Sequence, residues 1–161
     1  RLLIGEHVER VFDHVAEFGR TLGEELLEPT RIYVKLALDL FDAADVRALA
    51  HITSDGFLNL ARIDATVGFR IEALPETPPV FSAVQRAGDL SDEEMYLVYN
   101  MGIGLCAIVP EADADRAIAL GATHGIAAMR IGTVTDDATK RVDIIPAGLT
   151  SRDGHFERAG A

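Results

Sequence analysis

Long apolar runs are missing from this chain. No stretch approaches the roughly 20 residues that a membrane-spanning helix needs, and no signal-peptide pattern is present, so no membrane partner is expected. Cysteine is nearly absent as well. The single thiol, Cys106, excludes a disulfide within the chain. It sits in the apolar run Leu105-Cys106-Ala107-Ile108-Val109, which suits a buried structural thiol better than a reactive one and fits a reducing, cytoplasmic setting. Basic residues are scarce: 15 Lys and Arg stand against 26 Asp and Glu, for a formal charge of -11. The basic residues are scattered singly, whereas a nucleic-acid binder carries a basic patch; no nucleic-acid partner is expected. His and Cys show no zinc spacing, and there is no repeat, linker or composition shift that would mark a domain boundary.

What remains is an ordinary globular composition, 48% hydrophobic and 25% charged over 161 residues, enough to bury a core without disulfides or metal. Val8, Val11, Phe12, Val15 and Phe18 fall at helical spacing and predict an amphipathic helix over 6–18. The glutamate-rich stretch 19–29 reads as a connector. In it Glu24, Glu25 and Glu28 are either a solvated face or a magnesium site, the first being the commoner outcome. A second helix is predicted over 30–42, a strand over 46–52, a short helix over 57–62 and a strand over 67–71. Pro78-Pro79 opens another helix, since proline is tolerated in the first turn. Ser91-Asp92-Glu93-Glu94 has capping-box spacing and starts a helix reaching about Tyr99. A strand over 103–109, a helix over 111–124 and a closing pair of strands over 127–134 and 141–145 complete the order. The tail from Gly148 is polar and glycine-rich and is expected to fray. Helices and strands without strict alternation indicate an α+β domain rather than a doubly wound sheet.

Two loops attract attention. His51-Ile52-Thr53-Ser54-Asp55-Gly56-Phe57-Leu58-Asn59 and Asn100-Met101-Gly102-Ile103-Gly104 both place glycine at the edge of an apolar element, where a backbone can approach an anion closely. Gly102-x-Gly104-x-x-Ala107 resembles a dinucleotide fingerprint, but that motif needs a strand before its glycines and a helix after them. Here the predicted order is reversed, and the Rossmann reading fails. The first loop is either a ligand-binding edge or a turn in which Thr53 or Ser54 caps the next helix. His7, His14, His124 and His155 read as surface residues, and Cys106 has no neighbouring base.

Leu26-Leu27-Glu28-Pro29-Thr30-Arg31-Ile32-Tyr33-Val34-Lys35 closely resembles a signature of the AIR synthetase (phosphoribosylformylglycinamidine cyclo-ligase) family. Ala48 through Thr53 and Glu94 through Gly104 continue the likeness, and the spacing agrees from about Leu22 to Ile145. The resemblance implies a C-terminal domain over 1–147, of three-layer α/β/α character with partial ferredoxin-like topology, followed by a flexible tail over 148–161. It implies a preceding N-terminal domain, the chain's own partner, that carries the metal-binding aspartates and much of a homodimer interface. It further implies ATP and Mg2+ as cofactors, held mainly by that other domain, with no metal site in this chain, and a nucleotide small-molecule substrate. The chain opens on Arg1 rather than methionine, and a family motif that precedes the first helix is absent, so further sequence is expected upstream. The family reaction is ATP-driven closure of the aminoimidazole ring in purine biosynthesis: ATP phosphorylates a formamide oxygen, a nitrogen attacks the activated carbon, and phosphate leaves. Such chemistry needs positioned phosphates more than a protein nucleophile.

Matched residue by residue, His51, Thr53 and Gly56 correspond to the family's His-x-Thr-Gly-Gly-Gly loop, Asn59 to its following asparagine, and Asn100, Gly102 and Gly104 to its second loop. The resemblance gives these positions, with Ser54 and Asp55, a substrate- or phosphate-binding role; no residue is assigned as general acid or base. Ser54 and Asp55 replace two glycines, and the glutamate that usually precedes the asparagine is missing. Asp55-Gly56 can still form a tight turn, since aspartate tolerates left-handed geometry, but a carboxylate beside a phosphate repels it unless a cation intervenes. Two alternatives stand beside the cyclo-ligase: another ATP-using enzyme of the superfamily, such as a selenophosphate synthetase or thiamine-monophosphate kinase, and a non-catalytic assembly domain that kept the fold.

Overall fold

The computed structural model describes residues 2–160. Ten of the predicted elements appear close to where periodicity and capping place them. Helix α2 (Val34–Ala43) buries Leu36 and Leu40, one turn apart on one face. Strand β3 (Ala48–His51) leads into a 3-10 helix at Gly56–Arg62, and β4 (Gly68–Ile71) buries Phe69 and Ile71 while Arg70 faces out. Helix α3 (Pro79–Gly88) starts on proline. Helix α4 (Asp92–Val98) starts on a full capping box: the Ser91 hydroxyl accepts from Glu94 N–H, and the Glu94 carboxylate accepts from Ser91 N–H. Strand β5 (Leu105–Ile108), helix α5 (Glu111–Thr123), β6 (Gly132–Thr135) and β7 (Val142–Ile144) follow.

Several expectations are overturned. The first concerns 6–18, which is not an α-helix. Val8–Phe12 form a 3-10 turn, and the chain then reverses through β1 (His14–Val15) and β2 (Arg20–Thr21). The predicted apolar stripe is not buried as one face: Val8 is 70% and Phe12 81% exposed while Val11, Val15 and Phe18 are half-buried, and a short helix without a packed face is marginal in water. The connector at 19–29 contains α1 (Leu22–Leu26), capped by Thr21 and Glu24 in the same reciprocal manner as α4. Its Thr-x-x-Glu spacing carried that signal. The glutamates are engaged locally: Glu25 and Glu28 ion-pair with Arg20, and Glu24 caps.

Second, β6 and β7 do not pair with each other. Strand β4 lies between them, antiparallel to β6 and parallel to β7. Third, the tail is ordered. Residues β8 (Leu149–Arg152) and β9 (His155–Arg158) form a hairpin that extends the sheet to the order β6-β4-β7-β8-β9. Alternation inside the hairpin explains this: Leu149 and Phe156 are buried at 1% and 4% exposure, while their neighbours face solvent. Arg158 ties β9 to α4 through Asp92 and Glu93.

The architecture is mixed α/β. Strands β3 and β5 form a separate antiparallel pair, and α2 packs on α5. One core joins this pair to the five-stranded sheet: Ile52, Phe57, Leu60, Phe69, Met95, Cys106, Val142 and Ile144 belong to a single buried cluster. No helix among the described residues is long and apolar enough to cross a membrane.

Candidate functional site

The β3–β5 pairing brings the two loops together. His51 is in register with Leu105, and the ladder continues past the strand end, where Ile52 N–H donates to the Gly104 carbonyl at 2.9 Å. The first loop then docks on α4. The rings of Phe57 and Tyr96 lie 5.8 Å apart, and Gly56 rests directly on the Tyr96 backbone, where any Cβ would collide with its carbonyl oxygen. Glycine is required there twice over, because Gly56 also has φ +50°.

Each loop turns on two consecutive left-handed residues. In the first they are Asp55 (φ 72°) and Gly56 (φ 50°); in the second, Met101 (φ 49°) and Gly102 (φ 95°). Aspartate thus adopts the conformation a glycine would supply, at a modest cost. Its carboxylate lies 3.3 Å from Arg62, which offsets the negative charge introduced by the substitution. Neither Thr53 nor Ser54 caps the following 3-10 helix; Asp55 holds the cap position and makes no side-chain cap bond.

The polar side chains mostly hold the loops in shape. Asn59, only 9% exposed, donates to the carbonyls of Ser54 and Gly56 at 2.7 and 2.8 Å. Asn100 accepts from Gly102 N–H at 3.0 Å, closing a small turn. The Gly102 donor is therefore already engaged. His51, Thr53, Ser54 and Asp55 are exposed.

Tyr33 connects all three resembling segments and was not among the residues singled out from sequence. Its ring meets the His51 imidazole edge-on at 6.3 Å between centroids. Its hydroxyl fills the space beside Gly104, where a Cβ would strike it. The available signal was its place within the Leu26–Lys35 segment. A cavity of about 630 Å3 opens here, bordered by Arg31, Tyr33, Gly102 and Gly104 and continuing between the two sheets over Leu36, Phe69 and Ile118. A wider cleft of about 1400 Å3 lies on the other side of the first loop, bordered by Asp55, Arg62, Arg70 and Arg141. Its arginines are already ion-paired with Asp55, Glu72 and Asp143 respectively.

Titration marks no nucleophile. Burial pushes the Cys106 thiol up to about 12, so it is neutral and inert. Burial, followed by the charge of Asp92, also raises Tyr96. Among the described residues no group of three or more His, Cys, Asp or Glu could hold a metal ion.

The family model for "AIR synthase related protein, C-terminal domain" matches residues 4–145. The chain belongs to this family. Within the AIR synthase C-terminal domain, the match takes in both loops, Tyr33 and the β3–β5 pair, and stops just before the β8–β9 hairpin. Curated relatives named phosphoribosylformylglycinamidine cyclo-ligase include that of Methanococcus vannielii, 46% identical over 120 residues, covering 74% of this chain and 34% of that protein. The Methanocaldococcus jannaschii protein of the same name is 46% identical over 121 residues, covering 74% and 35%. That of Carboxydothermus hydrogenoformans is 44% identical over 124 residues, covering 76% and 36%. The chain thus spans about a third of the length of the relatives it matches.

Proposed function

We propose that this domain is the C-terminal part of an ATP-dependent phosphoribosylformylglycinamidine cyclo-ligase, closing the imidazole ring of formylglycinamidine ribonucleotide in purine biosynthesis. The observation that carries this reading is the convergence at Tyr33 of the three segments in which the chain resembles that family. The names and 44–46% identity of the relatives support it. The domain's part is to bind and orient: the loops at His51–Asn59 and Asn100–Gly104 form one wall of a phosphate-handling cleft. Their rigidity follows from the paired left-handed residues and from Asn59 and Asn100, and positioned groups are what such chemistry demands.

ATP supplies the phosphoryl group that activates the formamide oxygen. We assign Mg2+ and most nucleotide contacts to a preceding domain of the same protein, as the family resemblance implies. The three-layer α/β/α arrangement with partial ferredoxin-like topology, a homodimeric full-length protein and a cytoplasmic location belong to the same reading; the antiparallel β3–β5 pair and the α2–α5 packing are consistent with the first.

The test is ring closure by the full-length protein with ATP and magnesium, followed by release of ADP and phosphate. A panel with selenide and thiamine monophosphate separates the related ATP-using activities. Nucleotide and substrate affinity without turnover of any of these would favour a non-catalytic domain.

A further inference from the structure

The chain is strongly acidic, and its cations are almost all engaged. Every arginine among the described residues other than Arg31 is ion-paired with a carboxylate, and Lys140 donates to the Ile63 carbonyl. Arg31 has no acidic or carbonyl partner among the described residues, although 26 carboxylate side chains are available in the sequence. It borders the cavity of about 630 Å3 together with Tyr33, Gly102 and Gly104. The Tyr33 hydroxyl likewise makes no side-chain hydrogen bond among the described residues, lying instead against Gly104. Lys35, the other cation with neither a carboxylate nor a carbonyl partner among the described residues, does not border this cavity. Two donors without partners among the described residues, one of them a planar charged fork, therefore line the same cavity as the glycines of the second loop. Among the described residues, the acidic side chain bordering the cavity is Glu111, which is ion-paired with Arg130.

We infer that Arg31 binds the phosphate group of a phosphorylated small-molecule substrate, with the Tyr33 hydroxyl as a second donor. A guanidinium offers two parallel N–H groups to two phosphate oxygens, which a lysine cannot match. Left unpaired in an acidic protein, it also provides a local attraction for an anion that the rest of the surface repels. The inference deepens the function proposed above and rests on it for the identity of the ligand, since the phosphate can come from a ribonucleotide's 5′-phosphate or from ATP.

The experiment is calorimetric titration of the full-length protein with ribose 5-phosphate and, separately, with ATP, for wild type, Arg31→Gln, Arg31→Lys and Lys35→Gln. Loss of a charged hydrogen-bonding partner predicts roughly ten- to a hundredfold weaker binding of ribose 5-phosphate by Arg31→Gln, a smaller loss in Arg31→Lys, and no change in Lys35→Gln. A loss confined to ATP supports the phosphate site and assigns it to the nucleotide. Equal affinities in wild type and Arg31→Gln for both probes, or no binding of either by wild type, overturn the inference. Ring closure in the absence of any Arg31 effect refutes this inference alone; an Arg31-dependent affinity without ring closure refutes the proposed activity alone.

Discussion

The Tyr33 hydroxyl occupies the space that a side chain at residue 104 would need, so a residue from the first resembling segment and a glycine from the last are fitted to each other. That fit holds the His51 ring and the second loop in a fixed relation. Gly104→Ala should cost about 1–3 kcal/mol through overpacking, and about 1 kcal/mol less in a Tyr33→Ala background, where the obstructing ring is gone. Urea denaturation of the four proteins measures the coupling; additive costs would show that the two residues do not interfere.

The left-handed conformation of Asp55 makes a distinct prediction. Asp55→Ala should destabilise by about 1 kcal/mol, because alanine gains nothing locally at φ 72°, whereas Asp55→Gly and Asp55→Asn should stay within about 0.5 kcal/mol. Gly56→Ala should be far worse, at least about 3 kcal/mol, since the obstacle is the Tyr96 backbone and cannot swing aside. Equal tolerance at the two positions, read from denaturation midpoints, would contradict the turn geometry.

Ending the chain after Ala147 should unfold or severely destabilise the domain. The hairpin removed carries Leu149 and Phe156, both buried, each contributing roughly 1.5–3 kcal/mol by burial. It also protects the edge of β7. A truncated protein that melts at the temperature of the intact chain would restore the view of a frayed tail.

Acid should weaken the starts of α1 and α4. Hydrogen bonds from Ser91 hold Glu94 below its ordinary 4.5, those from Thr21 do the same for Glu24, and Gln85 followed by Arg158 holds Asp92 below 3.8. Because the folded values are depressed, the stabilisation is complete above the ordinary carboxylate range and is lost as pH falls through the folded values. Stability should be level from about pH 7 to 5 with respect to these groups and fall below about pH 4. Ser91→Ala should flatten part of that fall; an unchanged acid slope would remove the capping box as its cause.

Cys106, buried and with its thiol pushed up to about 12, should resist iodoacetamide at pH 8 in the folded protein and react readily in urea. Rapid labelling of the native chain would place the thiol outside the core.

Much of the fold was legible because its signals are local. Ser91 and Glu94 announce α4, Pro79 opens α3, and alternation at Phe69 and Ile71 marks β4. The failures arose where tertiary context decides. Val8 and Phe12 have helical spacing but stay exposed, and nothing in the sequence says that β4 separates β6 from β7. The hairpin at 149–158 was masked by its polar outer face, although Leu149 and Phe156 alternate correctly. At the site, glycines at 56, 102 and 104 identified the loops, and the tolerance of aspartate for left-handed geometry foresaw Asp55. Sequence gave no reason to separate Asn59 and Asn100, whose amides brace the loops, from residues facing the cavity. Tyr33 and Arg31 stand inside the Leu26–Lys35 segment that carries the resemblance, but the segment alone attached no role to either.

The central claim is that this domain forms one wall of a cyclo-ligase site. It is tested most directly by incubating the full-length protein with formylglycinamidine ribonucleotide, ATP and magnesium and measuring aminoimidazole ribonucleotide. The account predicts ring closure, with one ADP and one phosphate released per turnover, and no turnover by residues 1–161 alone. Failure of the full-length protein to close the ring, or turnover by the isolated domain, would contradict it.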